Sequence, residues 1–224
     1  MRDRSVLLGG LTLPVGCGYG TGVGESGVIS AAGVHGFPAV LTSFVGRSAA
    51  VEEVAGLLGE GRLVTVTGPG GVGKTRLAGE VAARVAGRFA DGVWLAELAA
   101  VADPAQVPAV VAVTLGVREQ PGVPAAEALA QILARRQLLL VLDNCEHVIG
   151  AAAELCADLV AAADDVRVLA TSRERLRVAG EACYRLAPLT LPGPGNAFDG
   201  AESEAVALFA DRARRADAHF ALAE

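Results

Sequence analysis

The sequence has a single lysine, few aromatic residues and no excess of positive charge. Aromatic residues make up 4% of the 224 positions, and the net charge is -6. An acidic chain has no global positive field, so its composition gives no reason to expect direct binding to nucleic acid or to an anionic membrane. No run of 18 consecutive apolar residues occurs, which argues against a transmembrane helix.

The cysteines also lack the spacing of a known type of site. Cys17, Cys145, Cys156 and Cys183 are scattered, and no pair has the C-x-x-C spacing of zinc or redox sites. Scattered thiols in a chain of this length fit a reducing compartment. We therefore expect a cytoplasmic protein.

The first residues loosely imitate a signal peptide. Arg2 and Arg4 precede the apolar stretch Val6–Val15, and Cys17 could then be a lipidation site. Two glycines and a proline interrupt that stretch, so we favour a chain that is not secreted. Residues 1–36 hold ten of the 28 glycines and show no helical or strand period. They are therefore predicted to form a disordered leader, or an upstream extension that is not part of the fold.

After this leader, short apolar runs alternate with helical patterns. The predicted strands are Leu63–Thr67, Val93–Leu98, Leu138–Leu142, Val166–Thr171 and Cys183–Leu186. The predicted helices are one capped by Ser48, Lys74–Arg88, one that begins after Asp103, Ala125–Arg136, Ala151–Ala163 and Glu202–Ala216. This alternation predicts an α/β fold, with a five-stranded parallel sheet and helices on both faces.

The segment Gly68–Thr75 reads GPGGVGKT and fits the pattern G-x-x-x-x-G-K-[ST] of a phosphate-binding loop. Glycines let backbone N–H groups turn towards phosphate oxygens, and the following helix presents its positive end to the same anion. Lys74 is expected to reach the β- and γ-phosphates, and the Thr75 hydroxyl to bind Mg²⁺. Lys74 is also the only lysine among 19 basic side chains. The motif therefore predicts a P-loop NTPase that binds ATP or ADP with Mg²⁺.

An acidic residue follows the predicted strand Leu138–Leu142 directly. Asp143 would hold Mg²⁺ through water at the carboxyl edge of the sheet, as in a Walker B strand. Asn144 comes next and cannot take a proton, so Glu146 is the nearest candidate general base. A helix cap or a salt bridge is the alternative role for Glu146.

The predicted strand Val166–Thr171 is followed by Arg173. A guanidinium at this edge could stabilise charge on the γ-phosphate or report its presence, while a solvated surface charge is the simpler reading. The candidate catalytic residues are therefore Lys74, Asp143, Glu146 and Arg173.

In order along the chain, these motifs resemble the STAND class of signal-transducing ATPases of the NB-ARC type. The resemblance is strongest to the ATPase modules of bacterial transcriptional regulators of the LuxR and SARP types. It rests on the stretches 41–47 (LTSFVGR), 63–78, 91–97 (DGVWLAE), 139–148 (LLVLDNCEHV), 168–176 (VLATSRERL) and 184–189. It implies that the segment of Phe44, Val45, Gly46 and Arg47 lines the adenine side of the nucleotide. The expected nucleotide-binding residues are Val45, Gly46, Arg47, Gly68, Pro69, Gly70, Gly71, Val72, Gly73, Lys74, Thr75 and Arg76.

The resemblance also suggests a division into segments. Residues 37–187 are expected to form the nucleotide-binding domain, 188–200 a linker, and 201–224 the start of a helical region. Relatives continue into a small helical domain, a winged helix and a DNA-binding helix-turn-helix, so we expect a fragment of a regulator or a truncated product. Other domains or other copies of such a regulator would be its partners.

Three functions stay open from the sequence. The first is a slowly hydrolysing regulatory ATPase, and the second is a nucleotide-binding module without significant turnover. The third is an unrelated P-loop enzyme such as a kinase, for which no acceptor-binding motif is evident.

Overall fold

The computed structural model describes residues 33–38, 42–118, 121–192, 203–217 and 219–221. Six parallel strands form one sheet: β1 Val34–His35, β2 Leu63–Thr67, β3 Val93–Glu97, β4 Leu139–Asp143, β5 Arg167–Ser172 and β6 Glu181–Arg185. Six α-helices accompany them: α1 Ser48–Glu60, α2 Lys74–Val85, α3 Val107–Thr114, α4 Ala125–Leu133, α5 Ile149–Ala162 and α6 Glu204–Ala216. The predicted α/β fold with a parallel sheet is confirmed.

The predicted strand number of five was wrong by one. The additional strand is β1, at the end of the segment predicted to be a leader, and it pairs Val34 with Val93 and His35 with Trp94. The His35 ring stacks on the Trp94 ring with 4.1 Å between centroids. Two residues are too few to show a strand period, so only the pairing with β3 reveals this strand. The leader prediction is therefore wrong for these last residues, while 1–32 lie outside the described residues.

The core lies on both faces of the sheet. In β4, the side chains of Leu139 and Val141 pack with α1 and α2, whereas those of Leu140 and Leu142 pack with α3, α4 and α5. All four side chains are completely buried. Because successive side chains of a strand point to opposite faces, an uninterrupted apolar run such as this one serves a sheet covered on both sides.

The strand order β1-β3-β4-β5-β2-β6 brings separate segments to one edge. The chain leaves β2, forms α2 and returns in β3, three positions away from β2, so β4 and β5 lie between them. Parallel strands share the edge at which they end. The segments that follow β2, β4 and β5 therefore meet at the carboxyl edge of the sheet.

Two predicted helix caps have different outcomes. The Asp103 side chain accepts a hydrogen bond from the Ala105 N–H at 3.0 Å, as expected for a cap. Ser48, in contrast, is already the first helical residue of α1, and the capping position belongs to Arg47, which makes no side-chain cap. The capping prediction for Ser48 was wrong because the chain enters α1 through a left-handed residue rather than an extended one.

Two further expectations concern membranes and the C-terminal segments. None of the helices in the described ranges combines the length and the hydropathy needed to cross a bilayer. The predicted linker 188–200 is described only over 188–192. The helix expected near Glu202–Ala216 is α6.

Candidate nucleotide-binding site

The phosphate-loop motif joins β2 to α2. Gly71 and Gly73 have φ angles of 75° and 98°, in the left-handed region that favours glycine. At Gly73 a Cβ atom would also lie only 2.9 Å from Nη1 of Arg47. Both positions therefore favour glycine because of the turn, and a side chain at Gly73 would also displace the end of the Arg47 side chain.

Lys74 begins α2 and its side chain turns back into the loop. Its ammonium donates hydrogen bonds to the carbonyl oxygens of Gly68 at 3.0 Å and Pro69 at 3.1 Å. The residue is only 8% exposed. Burial of a charged group is costly unless it is paired, so a lysine whose hydrogen bonds within the described residues go to two neutral carbonyls favours an anionic partner.

Asp143 ends β4 and lies beside the loop. The Thr75 hydroxyl is 2.9 Å from both carboxylate oxygens of Asp143, and the Thr171 hydroxyl of β5 donates to the Oδ1 atom. Thr171 Oγ1 also accepts the N–H of Asn144 at 2.9 Å, which fixes Asn144 in a left-handed conformation with φ 66°. The ends of β4 and β5 and the start of α2 are thus tied together around one buried carboxylate.

Glu146 and Arg173 form an ion pair at the same edge. The Arg173 Nε atom lies 3.1 Å from Oε1 of Glu146, and the Arg173 side chain is 68% exposed, against 15% for Glu146. The second carboxylate oxygen of Glu146 is buried and has no hydrogen-bond partner within the described residues. Of the two readings left open by the sequence, the geometry matches the salt bridge for Glu146.

Two cavities flank the phosphate loop, and Gly71, Gly73 and Arg76 line both of them. The larger cavity, of about 790 Å³, also contains Lys74 and Thr75, and we call it the phosphate side. Its remaining wall is formed by Val34, Phe37, Pro38, Gly70, Gly79, Glu80, Ala83, Asn144, Glu146, Thr171 and Arg173.

The smaller cavity, of about 440 Å³, lies on the other side of the loop, and we call it the base side. It is lined by Thr42, Ser43, Phe44, Val45, Arg47, Val72, Pro188, Leu189, Leu191, Ala205, Leu208 and Arg212 in addition to the shared residues. Within this wall, the Arg76 guanidinium lies over the Phe44 ring, 5.7 Å from the ring centre. The predicted residues Val45 and Arg47 line this cavity, whereas Gly46 lies between them in the chain.

Arg47 connects the base side to the phosphate loop. Its guanidinium donates to the carbonyl of Val72 within the loop and to that of Ala187 at 2.9 Å. Its backbone N–H donates to Oε1 of Glu204 at 3.0 Å. A single residue therefore fastens the loop, the segment after β6 and the start of α6.

The oxygen ligands present suit Mg²⁺. Thr75 and Asp143 offer a hydroxyl and a carboxylate side by side, which are hard oxygen donors. The described residues contain no group of three or more His, Cys, Asp or Glu side chains that could hold a metal by themselves. This fits Mg²⁺, which proteins usually bind through one or two side chains together with substrate phosphates and water.

The buried cysteines do not contribute chemistry to this edge. Burial, followed by the charge of neighbouring groups, raises the pKa of Cys145 well above its usual value, and burial raises the pKa of Cys156 to about 12. Both thiols therefore stay protonated and act as small apolar side chains in the core.

Sequence reasoning missed several residues of the two cavities. Thr171 is one whose signal was available, because a polar residue at the end of a buried strand belongs at the carboxyl edge. Phe37 on the phosphate side and Leu208 and Arg212 on the base side are far from the loop in sequence. No spacing rule connects them with it.

Comparison with known proteins agrees with the fold and the loop. The NB-ARC domain family matches residues 47–187. An uncharacterized protein of Mycobacterium tuberculosis is 40% identical over 182 residues, which cover 81% of this chain and 44% of that protein. A protein of the same organism, provisionally named as an HTH-type transcriptional regulator, is 40% identical over 167 residues, covering 75% of this chain and 18% of that protein. The chain thus spans less than half the length of either relative.

Solved structures share the architecture at low sequence identity. A STAND protein with a tetratricopeptide repeat sensor from Pyrococcus horikoshii has a TM-score of 0.50 and 15% identity, covering 82% of this chain and 27% of that one. The ORC1 protein of Aeropyrum pernix, solved in complex with DNA, has a TM-score of 0.55 and 17% identity. The match covers 77% of this chain and 50% of that one. These likenesses concern the fold alone. With the family match extending from Arg47 to Ala187, across the phosphate loop and all five longer strands, the chain belongs to the NB-ARC family.

Proposed function

We propose that this chain is the nucleotide-binding module of a STAND-type signalling ATPase, within a transcriptional regulator of the LuxR or SARP type. It binds ATP or ADP with Mg²⁺ and hydrolyses ATP slowly. The observation that carries the proposal is the phosphate loop itself, where, in the part of the chain that the structure describes, the buried ammonium of Lys74 donates to two neutral carbonyls and Thr75 contacts Asp143. We also propose a cytoplasmic location, where ATP is abundant.

The phosphate side supplies the charges for a triphosphate. Lys74 would exchange its loop carbonyls for the β- and γ-phosphate oxygens, and α2, which begins at Lys74, would present its positive N-terminal end to the same anion. Thr75 and Asp143 hold Mg²⁺, which neutralises charge on the phosphates when it is bound. Arg173 lies beside Gly70 and can turn to the γ-phosphate if it leaves Glu146.

The base side receives the nucleoside. Phe44, Val45 and Leu208 offer apolar contact to a planar base, while Arg47 and Arg76 keep the cavity continuous with the loop. The cavity of about 440 Å³ is of the size that small-ligand sites have. This supports the expectation, drawn from the family resemblance, that Val45–Arg47 lies at the adenine.

Slow turnover follows from the weak activation of water. Asn144 can orient a water molecule but cannot take its proton, and Glu146 is engaged by Arg173 at 3.1 Å. Charge stabilisation without an efficient base supports rates on the order of 10⁻⁴ to 10⁻² per second, as in unassisted GTPases. A regulatory switch benefits from this, since the bound nucleotide must outlast the signal.

A nucleotide-binding module without significant turnover is the second candidate. The Glu146–Arg173 pair favours it, because that pair occupies both the candidate base and the candidate γ-phosphate contact. Direct contact with DNA is not part of either proposal, since the chain carries a net charge of -6. Other domains or copies of the same regulator are the proposed partners.

Calorimetric titration with ADP and ATP in Mg²⁺ tests nucleotide binding. Lys74→Ala should weaken ATP binding at least tenfold, about 1.4 kcal/mol, because it removes a charge-assisted contact to two phosphates. Arg214→Ala is a matched control, since Arg214 is exposed on α6 and lines neither cavity. Equal ATP affinities for Lys74→Ala and the parent would refute the phosphate-loop assignment.

Phosphate release then separates the two candidates. We expect ATP hydrolysis slower than about one per minute, within the range of unassisted hydrolysis by P-loop proteins. Binding of ATP with no release above the background of Lys74→Ala would favour the module without turnover. A rate of many per second would contradict the switch.

A further inference from the structure

Glu204, the first residue of α6, bonds to two other segments through its carboxylate. Oε1 accepts the backbone N–H of Arg47 at 3.0 Å, and Oε2 accepts that of Thr190 at 3.3 Å. The Glu204 N–H in turn donates to Oγ1 of Thr190 at 3.0 Å. Glu204 and Arg47 are 157 positions apart in sequence, so this carboxylate joins opposite ends of the described chain.

The other end of α6 is attached to the same N-terminal segment. The Arg212 guanidinium donates to the carbonyl of Ser43 at 3.1 Å, and its other terminal nitrogen lies 3.4 Å from the Ser43 hydroxyl. The base-side cavity lies between these two attachments, with Leu208 in its wall. The helix therefore forms one wall of the proposed nucleoside site and is fixed at both of its ends.

The backbone beneath Glu204 has an unusual conformation. Gly46 and Arg47 have φ angles of 70° and 60°, so two successive residues lie in the left-handed region, and the second is not glycine. A Cβ atom on Gly46 would lie 2.7 Å from Oε1 of Glu204. The positive φ favours glycine at 46, a side chain there would displace the Glu204 carboxylate, and the bond to the Arg47 N–H stabilises the strained residue that follows.

Arg47, the strained residue, also binds the phosphate loop. The Arg47 guanidinium donates to the carbonyl of Val72 and packs against Gly73. Because the side chain leaves from a fixed left-handed backbone, its reach to Val72 depends on the conformation that Glu204 holds. A short path of direct contacts therefore leads from α6 through Glu204 and Arg47 to the loop.

We propose that Glu204 is a positioning residue that couples the docking of α6 to the nucleotide affinity of the phosphate loop. The proposal rests on the proposed function, since it needs a nucleotide in that loop. Coupling between two sites is reciprocal. Loss of Glu204 weakens nucleotide binding, and a bound nucleotide in turn protects α6 from opening.

Hydrogen exchange on the whole chain, with and without ADP and Mg²⁺, measures this coupling directly. In the parent we expect ADP to slow exchange of the amides in 208–216 by about tenfold, within the range of typical coupling energies. In Glu204→Ala this nucleotide-dependent protection should disappear, and ADP affinity by calorimetry should fall about three- to tenfold. Arg214→Ala on the same helix should behave as the parent.

Glu204→Gln provides a graded variant of the same size. Its amide oxygen can still accept one backbone N–H, but its NH₂ group cannot accept the second, so it should lie between the parent and Glu204→Ala. If Glu204→Ala does not fold, as judged by circular dichroism, the glutamine variant decides the test alone. A purely structural role would lower the unfolding midpoint without changing the response of α6 to ADP.

The outcomes separate this proposal from the one on which it rests. Failure of the parent chain to bind ADP would overturn both. Binding of ADP by the parent with equal protection of α6 in the parent and in both Glu204 variants would overturn the coupling alone and leave nucleotide binding intact.

Discussion

The two sides of the phosphate loop are built in different ways. On the phosphate side, Lys74, Asp143 and Thr171 lie at the ends of core strands or at the start of α2, and each is at most 8% exposed. On the base side, loop segments and α6 meet through hydrogen bonds such as Glu204 to Arg47, with side chains half-buried. We therefore expect the phosphate side to resist opening as the core does, and the base side to open without unfolding of the sheet.

Core and base-side substitutions should separate these two levels of stability. Leu142→Ala in β4 removes a completely buried side chain and should lower the free energy of unfolding by about 2–5 kcal/mol. Leu191→Ala in the base-side wall, where the side chain is 78% exposed, should change it by no more than about 0.5 kcal/mol. Unfolding in urea checks both. Similar losses would show that the base side is part of the core.

Asp143→Asn tests the phosphate side at constant volume. The neutral amide is a weaker Mg²⁺ ligand, and its NH₂ group cannot accept the Thr75 hydroxyl bond that Oδ2 of the carboxylate accepts. Single-turnover hydrolysis of ATP should therefore slow at least tenfold, about 1.4 kcal/mol. Glu60→Gln is the control, because it makes the same change from carboxylate to amide at the exposed end of α1. An unchanged rate would place Mg²⁺ elsewhere.

Phe44→Ala addresses the base side and should distinguish nucleoside from phosphate recognition. The ring lines the smaller cavity beneath Arg76, so its loss should weaken ADP binding about three- to tenfold, up to about 1.4 kcal/mol. Binding of inorganic tripolyphosphate, which has no base, should stay unchanged. Equal weakening of both ligands would mean that Phe44 acts through the loop.

The smallest expected effect concerns the pH dependence of α6. A hydrogen bond from Ser43, and then the charges of Arg215 and Arg212, hold the pKa of Asp211 below its usual 3.8. Because the folded pKa is the lower one, this stabilisation is present above the unfolded value and disappears as pH falls through the folded value. Asp211→Asn should slightly increase hydrogen exchange of α6 at pH 7 and have no effect below the folded pKa. An equal effect of Asp211→Asn on hydrogen exchange at pH 7 and below the folded pKa would contradict an ionic contribution.

The same contrast explains which features the sequence predicted. The loop Gly68–Thr75 and the strand ending in Asp143 are local patterns, and parallel pairing is sufficient to bring their ends together. The strand β1 was missed because its two residues have no period of their own. The base-side wall was only in part foreseen, through the family resemblance at Val45–Arg47. The bond from Arg47 to Glu204 spans 157 positions and depends on tertiary packing.

The sole lysine of the sequence lies buried in the phosphate loop. Reductive methylation with ¹³C-formaldehyde would therefore label one side chain only, apart from a terminal amine. The resulting methyl resonance would report directly on the loop, free of overlap from surface lysines. Because dimethylation leaves the Lys74 nitrogen a single N–H donor, this side-chain signal would report on the conformation of the loop rather than on an unaltered phosphate contact, without isotope enrichment of the protein.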